Sequence, residues 1–159
     1  IKYLLGLLNS TLVNFYIKQT STNTNITAKV LNSIPIVVAS VKDQYLIANL
    51  VEYIFVLKRN KQLTNVVSNE TVAAFFDKIL DGCVYELYFE EHMKSQEINI
   101  IDSAMELIKP ILHLSSDVEK ADVVLNVFLN IKKTDNSIRN HLELFTLRSP
   151  ETLKLIIEG

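Results

Sequence analysis

The first fifteen residues constrain this chain most. Ile1, Leu5, Leu8, Leu12 and Phe15 follow one another at steps of four, three, four and three, which places them on one side of a helix. Leu4 and Leu7 widen that side beyond a narrow seam, so the spacing predicts a buried helix over residues 1 to about 18, kinked near Gly6 or at Asn9-Ser10. A second stripe follows. Ile47, Leu50, Ile54 and Leu57, with Leu46, Val51 and Tyr53 beside them, predict a helix from Ser40 or Asp43 to about Lys61. The two stripes are expected to pack on each other.

Between them, residues 20–27 are rich in hydroxyl and amide side chains, which bond nearby backbone and favour turns. Val30 to Val38 reads as extended, because Pro35 drives Ile34 out of the helical region and β-branched residues follow. Further helices are expected from Asn69 as N-cap through Tyr88, over Ile98 to Leu112 with a disturbance at Pro110, and after the Ser116 to Glu119 capping box. Short helices should start at Asn136 or Ser137 and at Ser149-Pro150-Glu151. Only three Gly and three Pro in 159 residues leave few tight turns, which favours helices over short strands. The expected fold is mainly α, a helical bundle with a short extended segment around Ile34 and Val38.

Charge is uneven along the chain. Residues 1–64 carry seven basic and two acidic side chains, net +5; residues 65–159 carry nine and sixteen, net −7. The first part suits phosphate and the second repels it. Lys58, Arg59 and Lys61 at the end of the second long helix complement its dipole. A lone cysteine, Cys83, excludes an internal disulfide framework and fits a reducing, cytoplasmic setting. No apolar run reaches eighteen residues, so no membrane span is expected. The chain lacks an initiator Met and opens inside a periodic pattern, so it reads as a piece of a longer protein.

Little here suggests chemistry. Asp77 and Asp81 share a helix face and read as a solvated acidic face. Glu90-Glu91-His92 lacks a second His at ligand spacing, with His113 and His141 isolated. Cys83 reads as a core thiol, and Tyr85, Tyr88 and Phe89 as helical packing. The stripe at the N-terminus, if uncovered, should draw a second copy of the chain into a homodimer.

One ordered set of residues carries a resemblance: Lys2-Tyr3-Leu4-Leu5-Gly6-Leu7-Leu8-Asn9-Ser10, then Phe15-Tyr16, Thr20-Ser21-Thr22, Leu31, Ile34-Pro35-Ile36, and Gln44, Ile47, Leu50-Val51. It resembles the closing part of the target-recognition domain in TaqI-type adenine-specific DNA methyltransferases, including the fused restriction–modification enzymes. Asp81-Gly82-Cys83-Val84-Tyr85-Glu86-Leu87-Tyr88-Phe89 is similar to a segment downstream of that domain in the fused enzymes. Val37-Val38 stand where the family usually has a second proline, so the local turn is expected to differ. The resemblance covers about residues 1–61 and 76–92. It implies that residues 1–61 close a target-recognition domain and that residues 62–159 form a helical C-terminal appendage. It also places the catalytic motif, the S-adenosylmethionine site and any Mg upstream in the parent, so this part should catalyse nothing and hold no cofactor.

The expected partners are double-stranded DNA, through the parent enzyme, and the upstream methyltransferase domain. For contact with DNA the candidates are Lys18, Asn23, Asn25, Lys29 and Lys42, in or beside the polar loop. Lysines neutralise phosphate, and Asn reads adenine edges bidentately. Asn9-Ser10 reads as structural, satisfying backbone groups at a kink. The rival reading is a self-contained helical protein-interaction module with no nucleic-acid role.

Overall fold

The computed structural model describes residues 1–20, 26–60, 67–133 and 135–157. Among them the regular structure is helical, with no strand: α1 (Lys2–Asn9), α2 (Thr11–Thr20), α3 (Ala28–Ser33), α4 (Val41–Arg59), α5 (Asn69–Tyr88), α6 (Glu90–Ser95), α7 (Ile100–Leu107), α8 (Asp117–Ile131), α9 (Ser137–Arg148) and α10 (Glu151–Ile157). The chain is mainly α, as its few Gly and Pro imply. Among the described residues no helix is long and apolar enough to cross a membrane.

Helices α4 and α5 form the spine. α1 and α8 pack on α4, and α7 packs on α5 and α9. Ile47, Leu50, Ile54 and Leu57 are all buried, as their spacing requires. They join Phe76, Ile79, Leu80, Cys83 and Val84 of α5 in one apolar cluster that runs from Leu7 to Leu153. Tyr53 meets Phe76 edge to face at 5.0 Å. Its hydroxyl donates to the Lys109 carbonyl (2.7 Å) and accepts from the Lys109 N–H (2.8 Å), tying down the backbone just before Pro110, where α7 has already ended. Burial pushes this phenol up to about 12, against the Lys109 contact, which pulls it down.

The expected first helix is two. Ser10 adopts extended backbone (φ −67°, ψ 153°), and its Oγ donates to Leu7 O at 2.7 Å while accepting from Val13 N at 3.3 Å. One side chain thus closes α1 and opens α2, and Asn9 Nδ2 donates to Leu5 O at 2.8 Å. The pair is structural, as expected. The break also corrects the expected stripe: Gly6, Leu7, Ser10, Val13 and Ile17 are buried, Leu5, Leu8, Leu12 and Phe15 are half-buried, and Ile1 is exposed. Gly6 explains the shift. A Cβ there would lie 2.6 Å from Ile47 Cγ2 and 3.2 Å from Val51 Cγ2, so α1 approaches α4 at its glycine.

Two further expectations are corrected. Residues 30–33 are helical, because Thr27 accepts from Val30 N (3.4 Å) and starts α3; the extended backbone begins only at Ile34 (φ −67°, ψ 120°), ahead of Pro35. The α5 cap is Ser68, not Asn69. Asn69 is buried instead and donates through Nδ2 to Leu57 O (3.0 Å) and Asn60 O (3.2 Å), carbonyls at the end of α4. The Ser116–Glu119 capping box on α8 and the Asn136 cap on α9 are as the residues imply.

Candidate nucleic-acid interface

Lys18 lies in the last turn of α2, Lys29 in the first turn of α3 and Lys42 in the first turn of α4. All three are exposed, and none makes an ion pair with another described residue. Lys29 and Lys42 sit at the helix ends where a cation gains nothing from the dipole. Asn23 and Asn25 lie outside the described residues. Lys58 and Arg59 differ in kind: Lys58 Nζ is 3.5 Å from Asp77 Oδ2, and the Arg59 guanidinium lies 5.2 Å from the centre of the Phe55 ring. These two close the end of α4.

Of the lysine-bearing helices, α4 is fixed by the main apolar cluster, whereas α2 and α3 bury little apolar surface and take polar contacts as well. A small cluster of Val13, Ile17 and Ile34, flanked by Leu8, Tyr16 and Val30, joins α2 to the segment after α3. Asp81 of α5 reaches the start of α2, where its carboxylate accepts from Thr11 N (2.8 Å) and from the Thr11 hydroxyl. Asp81 is therefore a cap between helices and not the solvated face expected. Burial pushes its carboxyl up, the Thr11 bonds pull it down, and the Asp77 charge adds a smaller upward push.

Residues 33–39 are held in a regular way. Tyr16 of α2 donates to Ser33 O (2.9 Å), Tyr88 of α5 to Pro35 O (2.6 Å), Tyr3 of α1 to Val37 O (2.7 Å), and Gln44 Nε2 of α4 to Ala39 O (2.8 Å). Four helices thus clasp every second carbonyl. A period of two is the signature of extended backbone, in which alternate residues turn their polar groups to opposite edges. Burial raises the Tyr3 and Tyr88 phenols, and contacts with the Ala39 and Val37 backbone pull them back. Each hydroxyl therefore sits where a neighbouring strand would place its amide. These four side chains were named in the sequence only as packing or as part of a resemblance. Their one advance signal is a polar tip on residues flanking a proline-containing extended stretch.

The remaining polar groups offer no assembled chemistry. Ser103 Oγ lies 3.0 Å from His141 Nδ1 but donates its proton to Asn99 O (2.8 Å), so the pair is a half-buried clasp between α7 and α9. Cys83 is fully buried and its thiol is pushed well up by that burial, which suits an inert packing role. Among the described residues no three His, Cys, Asp or Glu side chains converge as a metal site would need. Comparison with models of protein families, with curated proteins and with solved structures finds no match to this chain.

Proposed function

We propose that this chain is a non-catalytic DNA-recognition and structural-coupling segment of a TaqI-type adenine-specific DNA methyltransferase or fused restriction–modification enzyme. It acts in the cytoplasm, with the methyl-transfer chemistry, S-adenosylmethionine and any Mg held by upstream parts of the parent. The observation that carries this reading is the meeting of its two resembling segments. Tyr88, from the second, donates to the carbonyl of Pro35 in the first, and Asp81, also from the second, caps Thr11 directly after Asn9-Ser10. Residues separated by more than fifty positions in one case and seventy in the other are thus coupled through the side chains that carry the likeness.

DNA would be met by Lys18, Lys29 and Lys42, with Asn23 and Asn25 reading bases between them. The test is fluorescence polarisation with duplex DNA across a four-fold range of salt. Three phosphate contacts at a slope of about −0.9 each weaken binding roughly forty-fold over that range. Lys18→Ala with Lys29→Ala should reduce the logarithmic slope by about two and weaken binding on all sequences alike. Binding that ignores salt, or that survives the double substitution unchanged, would contradict the reading.

A further inference from the structure

The clasp on residues 33–39 uses one edge of the extended chain and leaves the other open. In extended backbone the N–H and carbonyl of a residue share an edge, and the next residue faces the opposite way. With Ser33, Pro35, Val37 and Ala39 turned to the tyrosines and Gln44, Ile36 and Val38 turn outward. Among the described residues nothing meets the N–H or the carbonyl of either one. Their side chains are also open, Ile36 at 40% and Val38 at 89% of full exposure. Exposed edges in folded proteins are normally blunted by charge, proline or a covering element. Here the single proline lies on the clasped edge, and residues 30–41 carry no charged side chain.

Beside this edge, Val37 and Val38 wall a cleft of about 560 Å³. It also takes Asp43, Glu86, Glu90, Glu97 and Asp102, against a single cation, Lys94, which is already bonded to Glu90 at 2.5 Å. Glu86 accepts from the N–H groups of Ile100 and Ile101 (2.7 and 3.0 Å), and the cleft keeps a surplus of negative charge.

We propose that residues 34–39 are a docking edge for an extended strand of another polypeptide, which pairs its backbone with Ile36 and Val38 and sends a lysine or arginine into the acidic cleft. The open backbone groups select an extended partner, because only another strand offers alternating donors and acceptors at this spacing. The carboxylates select a basic side chain on it. A second copy of this chain fits poorly, since its own residues 30–41 bring no cation to the cleft. The inference does not depend on DNA binding.

The test is selection of random nine-residue peptides displayed on phage against the immobilised chain, followed by affinity measurement on Val38→Pro. That substitution removes one edge donor at a residue that is 89% exposed, and thermal melting verifies that the fold is kept. Enriched peptides should alternate apolar residues around a Lys or Arg, and should bind Val38→Pro at least ten-fold more weakly. Replacing the edge-facing amides of an enriched peptide by N-methyl groups gives the same loss without touching the protein. Replacing its Lys or Arg by Gln should weaken binding to the parent chain, and less so to Glu90→Gln with Glu97→Gln. Failure to enrich any peptide, enrichment of peptides that bind Val38→Pro equally well, or tolerance of the N-methyl groups overturns the proposal. A homodimer abolished by Val38→Pro would also overturn it, naming a second copy as the occupant.

Discussion

The α4–α5 spine and the layer made by α2, α3 and residues 34–39 are held together by different forces. The spine buries a continuous apolar cluster in which Leu50, Phe76, Ile79, Cys83 and Val84 have almost no exposed surface. In the layer Val13, Ile17 and Ile34 are buried, Leu12 and Val37 pack partly on the main cluster, and hydrogen bonds made by Tyr16, Tyr88, Tyr3, Gln44 and Asp81 add to this smaller apolar contact. Apolar burial yields about 25 cal/mol per Å², whereas a single hydrogen bond nets roughly 0.5–1.5 kcal/mol. The spine should therefore set global stability, and the layer should open at lower cost. The same division suits a protein that presents lysines and a strand edge on a surface steadied by a rigid core.

The sharpest way to break this contrast is Phe76→Ala, which leaves a cavity against Tyr53 and Phe75. It should cost about 3–5 kcal/mol in urea unfolding; a loss below about 1 kcal/mol would deny the spine its role. Gly6→Ala comes next. Its new methyl would press on Ile47 Cγ2 and Val51 Cγ2, branches that are stiff at χ1, for a cost of about 1–3 kcal/mol. Gly82→Ala meets Ile100 Cδ1, at 2.7 Å but at the swinging end of its side chain, so a better helix residue offsets the crowding and the net change should be under about 1 kcal/mol.

Tyr88→Phe should cost about 1 kcal/mol or less in global unfolding. It should still speed amide exchange at Leu31 and Ile34 while leaving Val84 unaffected. Equal acceleration in α5 would join the two regions into one cooperative unit.

The smallest effect is on pH. Burial raises the Asp81 and Glu86 carboxyls above their ordinary values, so the folded chain holds these protons more tightly than the unfolded chain. Their contribution to stability is complete below the ordinary carboxylate range and is lost as pH rises through the raised values. Asp81→Asn with Glu86→Gln removes the titration. An amide oxygen still accepts from Thr11 N and from the N–H groups of Ile100 and Ile101, and the new amide NH2 at position 81 donates to the Thr11 hydroxyl oxygen instead of accepting from it. Between mildly acidic and neutral pH the unsubstituted chain should lose stability relative to this variant, read from urea midpoints.

The spine was legible because burial leaves a periodic trace. Ile47, Leu50, Ile54 and Leu57 could only be one face of a helix, and α4 begins at Val41 after its Ser40 cap, within the expected range. The capping residues Ser116 and Asn136 were equally plain, since a cap is a local device. The layer was not legible for the opposite reason. Asp81 caps a helix seventy residues earlier in the chain, and Tyr88 serves a carbonyl fifty-three residues earlier. Such contacts leave no period. Ile1, Leu5, Leu8, Leu12 and Phe15 misled because one serine hydroxyl split the helix and one glycine drew a different face to α4. Of the candidate site, Lys18, Lys29 and Lys42 were legible as exposed cations, whereas the clasp on the Ser33 to Ala39 carbonyls came only with the fold.

The central claim is that four side chains hold the stretch from the Ser33 carbonyl to Ala39 by one edge, extended from Ile34 onward, and leave the other free. Native-state amide exchange, followed residue by residue by NMR, tests it most directly. Ile36 and Val38 should exchange at nearly the rate of an unprotected peptide, while Phe76 and Val84 exchange only through global unfolding. Protection at Ile36 and Val38 comparable to that of α4 and α5 would contradict the claim.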